Sequence, residues 1–177
     1  METVIEHIKI DDEFITNNND PMAIINPVWS TATIYGGEEK YNESLASFSK
    51  EQRNVYALLW YMAEVGNGGH YQFYFNSTGV VWKDALLGSK ALKFDELTQI
   101  IEGSAIKMGS EPSLDRWTRQ EYLQKNKPDF RELDTRLYKI SNQIYKRIYQ
   151  YILESKSAFY FDGKIKVRKH GQNKNRF

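Results

Sequence analysis

Apolar residues recur at helical spacing through most of this chain and alternate with polar ones only near its two ends. Ser49 followed by Gln52 three residues later has the capping-box pattern that opens a helix. Val55, Leu58, Leu59, Met62 and Val65 then fall on one face, and Gly66 is placed to end the helix. The longest stripe is Leu133, Leu137, Ile140, Ile144, Ile148 and Tyr151, with Asp129 as its expected cap and Glu132 three residues on. Tyr145, Tyr149 and Ile152 widen that stripe beyond a coiled-coil seam, which favours a core helix over a zipper. Between these two lie helices predicted at Val80–Leu87, at Phe94–Met108 and, capped by Ser113, through Leu114, Trp117 and Leu123.

Asp20-Pro21 and Asn26-Pro27 each place a capping side chain before a proline, which suits the first helical position. The second pair opens a helix carrying Val28 and Trp29 that stops at Gly36-Gly37. At the ends the period changes. Ile8 and Ile10 flank Lys9 like a short strand, and Thr16-Asn17-Asn18-Asn19 reads as a loop. Phe159-Tyr160-Phe161 and Lys164-Ile165-Lys166-Val167 flank Asp162-Gly163, a turn pair that tolerates the positive φ of a tight hairpin. The expected fold is therefore all-α: a single-domain, multi-helix orthogonal bundle with a small C-terminal β-hairpin that an N-terminal strand can join. Residues 1–19 form the N-terminal segment, 20–163 the helical domain, and 164–177 the second hairpin arm with a basic tail.

Composition narrows the function classes. A length of 177 residues suffices for one sizeable core. Without cysteine there is no disulfide, thiolate nucleophile or cysteine zinc site. No basic start with a following apolar core marks a secretory signal, and Tyr56–Ala63 is far shorter than the ~20 apolar residues of a membrane span. A cytoplasmic location is expected. The formal net charge is +1, but it is unevenly placed. Residues 1–48 hold nine acids against two bases, whereas residues 156–177 hold seven bases against one acid. Such asymmetry invites charged partners at either end.

Motifs of known chemistry fail in turn. Gly88-Ser89-Lys90 reverses the Gly-Lys-Ser order of a phosphate loop, and no Gly-x-Ser-x-Gly elbow or His-Glu-x-x-His pair is present. His7, His70 and His170 are scattered, so no metal ligand set forms at helical spacing. His70 has no acidic residue within the next dozen positions to orient it, and a partly exposed first-turn histidine is expected. Asp11-Asp12-Glu13 and Glu38-Glu39 lack the apolar bracket that raises a catalytic carboxyl, and Glu38 and Glu39 suit a helix N-terminus. Tyr138-Lys139, Tyr145-Lys146-Arg147 and Tyr149 interleave aromatics with bases, and Lys164, Lys166, Arg168, Lys169, Lys174 and Arg176 extend this into the tail. Stacking and phosphate contacts use such groups. Those tyrosines border the core stripe, however, and a solvated basic face is the simpler reading.

The stretch from Glu64 to Gly79 is the most distinctive. Asn67, Gly68 and Gly69 read as a tight reversal between two helices, Phe73 packs inward, and Gln72 and Asn76 share one face. This segment resembles the signature of a bacterial domain family of unknown function named after the C-terminal domain of a DNA-mimic protein. Glu64, Val65, Asn67, Gly68, Gly69, Gln72, Phe73, Asn76 and Gly79 fit its pattern, and His70 stands where an aromatic is usual. The Ser49–Gln52 helix start, Leu133-Asp134 and Phe159-Tyr160-Phe161 fit as well.

The resemblance implies a helical, non-enzymatic domain without cofactor or metal. It also implies a protein partner, a DNA-binding regulator, met through carboxylates spaced like phosphates. Asp11, Asp12, Glu13, Asp20, Glu38, Glu39 and Glu43 are the candidate acidic surface, although a balance of +1 departs from a mimic's usual plan. Two alternatives stand beside this reading: a direct nucleic-acid binder through the basic C-terminal helix and tail, and an uncharacterised enzyme around His70, Gln72 and Asn76. A homodimer is compatible with all three.

Overall fold

The computed structural model describes residues 3–168. Strand β1 (Thr3–Ile10) leads into three short helices, α1 (Asp12–Asn17), α2 (Pro21–Ile24) and α3 (Asn26–Thr31), and then into α4 (Gly37–Leu45). The long α5 (Lys50–Phe75) runs into a 3₁₀ turn (Ser77–Val81) and α6 (Trp82–Ala91), followed by α7 (Asp95–Lys107) and α8 (Arg116–Asn126). Helix α9 (Arg131–Glu154), a second 3₁₀ turn (Lys156–Phe159) and strand β2 (Phe161–Arg168) complete the order. The architecture is helical with one small two-stranded sheet at the termini, as the sequence pattern predicts.

Helix α5 is central because its run from Val55 to Met62 is apolar throughout and, Trp60 apart, buried. Val55, Ala57, Leu58, Tyr61 and Val65 have no exposed surface, and α6, α8 and α9 all pack on this helix. Its start is the predicted capping box: Ser49 Oγ accepts from Gln52 N at 3.0 Å, and Gln52 Oε1 accepts from Ser49 N at 2.9 Å. On α9, Leu133, Leu137, Ile144, Ile148 and Ile152 lie in the core. Trp29 of α3 stacks on Trp60 of α5, with centroids 4.6 Å apart. One buried carboxylate, Asp84, ties three helices together. It accepts from Tyr41 Oη of α4 at 2.6 Å and from Arg53 Nε of α5 at 2.7 Å.

Several local expectations need correction. Asp162-Gly163 is no hairpin turn: both residues lie inside β2, opposite Lys9 and Ile8 of β1, and neither has positive φ. Strand β2 pairs instead with β1 along its whole length, from Phe161 opposite Ile10 to Arg168 opposite Thr3, and Phe159 is taken by the second 3₁₀ turn. A boundary at residue 163 therefore cuts a strand. Asp12–Asn17 is a helix, capped by Asp11 Oδ1 on Phe14 N at 3.0 Å. Helix α8 is capped by Asp115, whose Oδ2 accepts from Thr118 N at 2.8 Å; Ser113 instead accepts from Asp115 N. Asp129 lies one residue outside the cap of α9 yet still accepts from Arg131 N at 3.0 Å. Ile25, not Asn26, occupies the cap position of α3. Gly66 does not end its helix. The break comes at Gly68 and Gly69, after which the helix resumes.

Candidate functional site

The two halves of α5 meet at a kink. Gly68 has φ −153°, ψ 24° and Gly69 has φ 74°, ψ 178°, both non-helical. A positive φ is open to glycine at little cost, and here space demands it too: a Cβ on Gly69 would sit 2.6 Å from Asp134 Oδ2. One on Gly68 would meet the Gln72 side chain at 2.0 Å. The resumed helix begins with an N–H that lacks an intrahelical partner. Asp134 of α9 supplies it, with Oδ1 accepting from His70 N at 2.9 Å.

The same oxygen lies 2.5 Å from His70 Nδ1, and His70 Nε2 lies 2.5 Å from Tyr61 Oη. With Nδ1–H donating to the carboxylate, Nε2 accepts from the phenol, so both ring nitrogens are occupied. His70 and Tyr61 have no exposed surface. Burial raises the Tyr61 phenol well above its usual range, with Tyr74 and the Asp134 charge adding to it. His70 is thus a core residue, not the partly exposed one expected. Its orienting acid lies 64 positions away on another helix, beyond any local spacing rule.

The motif's polar residues serve the same corner. Glu64 Oε1 accepts from Gln72 Nε2 at 2.7 Å and from Asn76 Nδ2 at 2.6 Å, joining the two halves of α5 across the kink. Phe73 is fully buried. Asn67 is exposed at the corner. Gly79 lies against Arg119 of α8, where a Cβ would be 2.5 Å from Nε. That guanidinium is 1% exposed and donates to four carbonyls: Tyr74, Asn76, Ser113 and Leu114, at 2.8–2.9 Å. Gln120 and Arg116 both donate to Phe75 O. Side chains of α8 therefore cap the carbonyl end of α5 in trans. Burial lowers the Arg119 pKa to about 10, and the charge persists at neutral pH.

A family model for DMP19-like protein matches residues 46–155, more than half of the chain. The chain belongs to the DMP19-like family. The matched region takes in α5 to α9, with the kink and its trans caps all inside it. No curated protein and no solved structure matches the chain.

Beside this corner the DMP19-like chain carries a cleft of two joined depressions. The smaller, about 300 Å³, is lined by Trp60, Glu64, Asn76 and Thr78, and the larger, about 430 Å³, by Gly36, Gly37, Asp115 and Trp117. Ile34, Tyr35, Ser77 and Arg116 line both. Tyr35 is 66% exposed and Trp117 72%. Tyr35, Arg116 and Trp117 gave no signal in the sequence, since each reads as an ordinary helix or loop residue.

The seven acidic candidates are spread over three helices, α1, α2 and α4. Asp11 caps α1 and pairs with Lys9 at 3.0 Å, Asp12 lies 3.8 Å from Lys156, and Glu13 is exposed beside them. Asp20 caps α2 through Met22 N. Glu38, Glu39 and Glu43 are exposed on α4, with Glu38 and Glu39 in its first turn as expected. Helix α1 rests on β1, α9 and the second 3₁₀ turn, whereas α4 rests on α3 and the first 3₁₀ turn.

The basic candidates are mostly engaged. Tyr138 Oη donates to Val65 O and Tyr149 Oη to Ile15 O. Arg147 donates to Leu92 O at 2.7 Å and pairs with Glu154. Lys139 and Lys146 are exposed on α9, and Lys164 and Lys166 on β2. Lys169, Lys174 and Arg176, with His170, lie outside the described residues. Gly88, Ser89 and Lys90 are interior to α6. Among the described residues no helix is long and apolar enough to cross a membrane.

Proposed function

We propose that this DMP19-like chain is a non-enzymatic binding domain that acts by protein–protein contact, its partner a DNA-binding protein engaged through carboxylates on α4. The observation that carries this reading is the contrast between the motif and the surface. Glu64, Gln72, Asn76, His70 and Asp134 hold one another and the kinked helix, which supports a structural role for them. Glu38, Glu39 and Glu43 project from a helix whose inner face is fixed by buried Tyr41 and Leu45. A rigid helix bearing carboxylates offers the kind of charge array that competes with a phosphate backbone for basic side chains. A cytoplasmic site of action accords with a DNA-binding partner.

Affinity capture from the native cell at mild salt, with mass spectrometry, tests the partner class. A DNA-binding protein is expected, and its retention falls as salt rises. Recovery of none would count against mimicry. The enzymatic alternative around His70, Gln72 and Asn76 predicts a reaction lost in Gln72→Ala, and the direct nucleic-acid alternative predicts salt-sensitive DNA retention lost on deleting residues 164–177.

A further inference from the structure

We infer that the Tyr35–Trp117 cleft is the anchoring pocket for an arginine side chain of the partner protein. The inference rests on the reading above that the partner is basic. Its warrant is a coincidence of three features. Trp117 and Tyr35, at 72% and 66% exposed, are the most exposed aromatic side chains among the described residues, and both line one concavity. Solvent-facing rings of this size carry a hydration penalty that contact with a partner relieves, and tryptophan, tyrosine and arginine are the side chains on which interface energy concentrates.

Second, the cleft and its rim carry four carboxylates, Glu38, Glu39, Glu64 and Asp115, against three cations, Lys40, Arg116 and Arg119. Glu64 lines the inner depression with Oε1 held by two neutral amides, and no cation lies within ion-pairing distance of it among the described residues. Asp115 lines the outer depression, its Oδ2 taken by the α8 cap on Thr118 and its Oδ1 without a hydrogen bond among the described residues. Gly36 and Gly37 form part of its wall and lead directly into Glu38 and Glu39, which places the first turn of α4 at the rim, where the Lys40 side chain also lies over Gly36. Of the two cleft arginines, Arg119 is buried with its donors on four carbonyls, and Arg116 is drawn by its Nε to Phe75 O.

Third, geometry favours arginine over lysine. A planar guanidinium stacks on an aromatic face and still presents paired N–H groups to a carboxylate, whereas an ammonium is a compact, strongly hydrated point charge. The cleft offers the face at Trp117 or Tyr35 and the acceptor at Glu64 or Asp115. It thereby extends the acidic surface of α4 inward, and supplies shape where α4 alone supplies only charge.

The test uses the full chain and a defined probe: an N-acetylated, C-amidated glycine peptide with one central arginine, titrated while the indole N–H resonances of Trp117 and Trp60 are followed. Saturable shifts at Trp117 are expected. Replacing arginine by citrulline, its neutral isostere, should weaken binding about ten-fold, and Trp117→Ala, at an exposed position, should weaken it comparably. Equal shifts with the citrulline peptide, no shift at either indole, or tighter binding of a glutamate peptide through Arg116 would overturn the proposal. The peptide result is independent of any cellular partner. A failed titration beside partner capture that depends on α4 removes the pocket and leaves the acidic reading standing; successful titration with no DNA-binding partner captured does the reverse.

Discussion

Asp134 on α9 accepts from both the backbone N–H and the ring Nδ1–H of His70, through a single carboxylate oxygen at 2.9 and 2.5 Å. One side chain thus caps the second half of α5, orients a buried imidazole and fixes the approach of α9 to the kink. Asp134→Ala leaves a helix-start N–H and a buried ring nitrogen without their acceptor. A loss of about 2–4 kcal/mol is expected in urea unfolding. Asp134→Asn keeps an acceptor oxygen and should recover at least half of that loss.

The glycines on either side of Asn67 make a sharper pair. Gly69→Ala meets both a left-handed φ and the Asp134 carboxylate at 2.6 Å, so a destabilisation of roughly 2 kcal/mol or more is expected. Gly66 is helical and exposed, with nothing within 4 Å of its missing Cβ. Gly66→Ala should stabilise by about 0.5–1 kcal/mol. Opposite signs in thermal unfolding check the kink; equal signs would refute it.

Arg119 gives a third prediction. Its guanidinium replaces the missing turn of α5 by donating to Tyr74 O and Asn76 O, and it also holds Ser113 O and Leu114 O. Arg119→Met retains bulk but strands those carbonyls, at a cost of about 3 kcal/mol or more. Hydrogen exchange should show the loss first in residues 70–81, where α8 covers the helix end.

Alkaline titration reports on the buried phenols. Burial raises Tyr41, Tyr61 and Tyr74 above their usual value of 10.0, with the Asp84 charge adding to it at Tyr41, and raises Tyr56 to about 12. A phenol with a raised folded pKa holds its proton more tightly in the folded state. Its contribution is therefore fully present below pH 10 and is lost as pH rises from there toward the folded value. Stability should fall above about pH 10. Tyrosinate absorbance of Tyr41, Tyr56, Tyr61 and Tyr74 should then appear only as the chain unfolds.

Periodicity and caps made the large helices legible. The α5 start and the α9 stripe both follow from residue spacing that a helix alone satisfies, and the packing of each agrees with it. The short helices were hidden for the opposite reason. Asp12–Asn17 buries only Ile15, too little for a pattern, and α4 begins behind two glycines that read as a stop. The terminal sheet was misassigned because a local turn signal, Asp162-Gly163, competed with pairing across the full length of the chain, and β1 prevailed. At the corner, Gln72 and Asn76 were visible as neighbours at helical spacing, and Glu64 as part of the family pattern. Asp134, Tyr61 and Arg119 were not, since their roles exist only once α8 and α9 fold back onto α5. The cleft was equally silent: Tyr35 and Trp117 are 82 positions apart in the numbering and meet only around the 3₁₀ turn at Ser77.

The central claim is competition for a DNA-binding protein through α4. The most direct measurement is the displacement of labelled DNA from the captured partner, followed by fluorescence anisotropy as the chain is added. The native chain should release the DNA, and a Glu38→Lys, Glu39→Lys, Glu43→Lys variant with an unchanged circular dichroism spectrum should not. Release by both chains alike, or DNA retained with the native chain present in excess, would contradict the account.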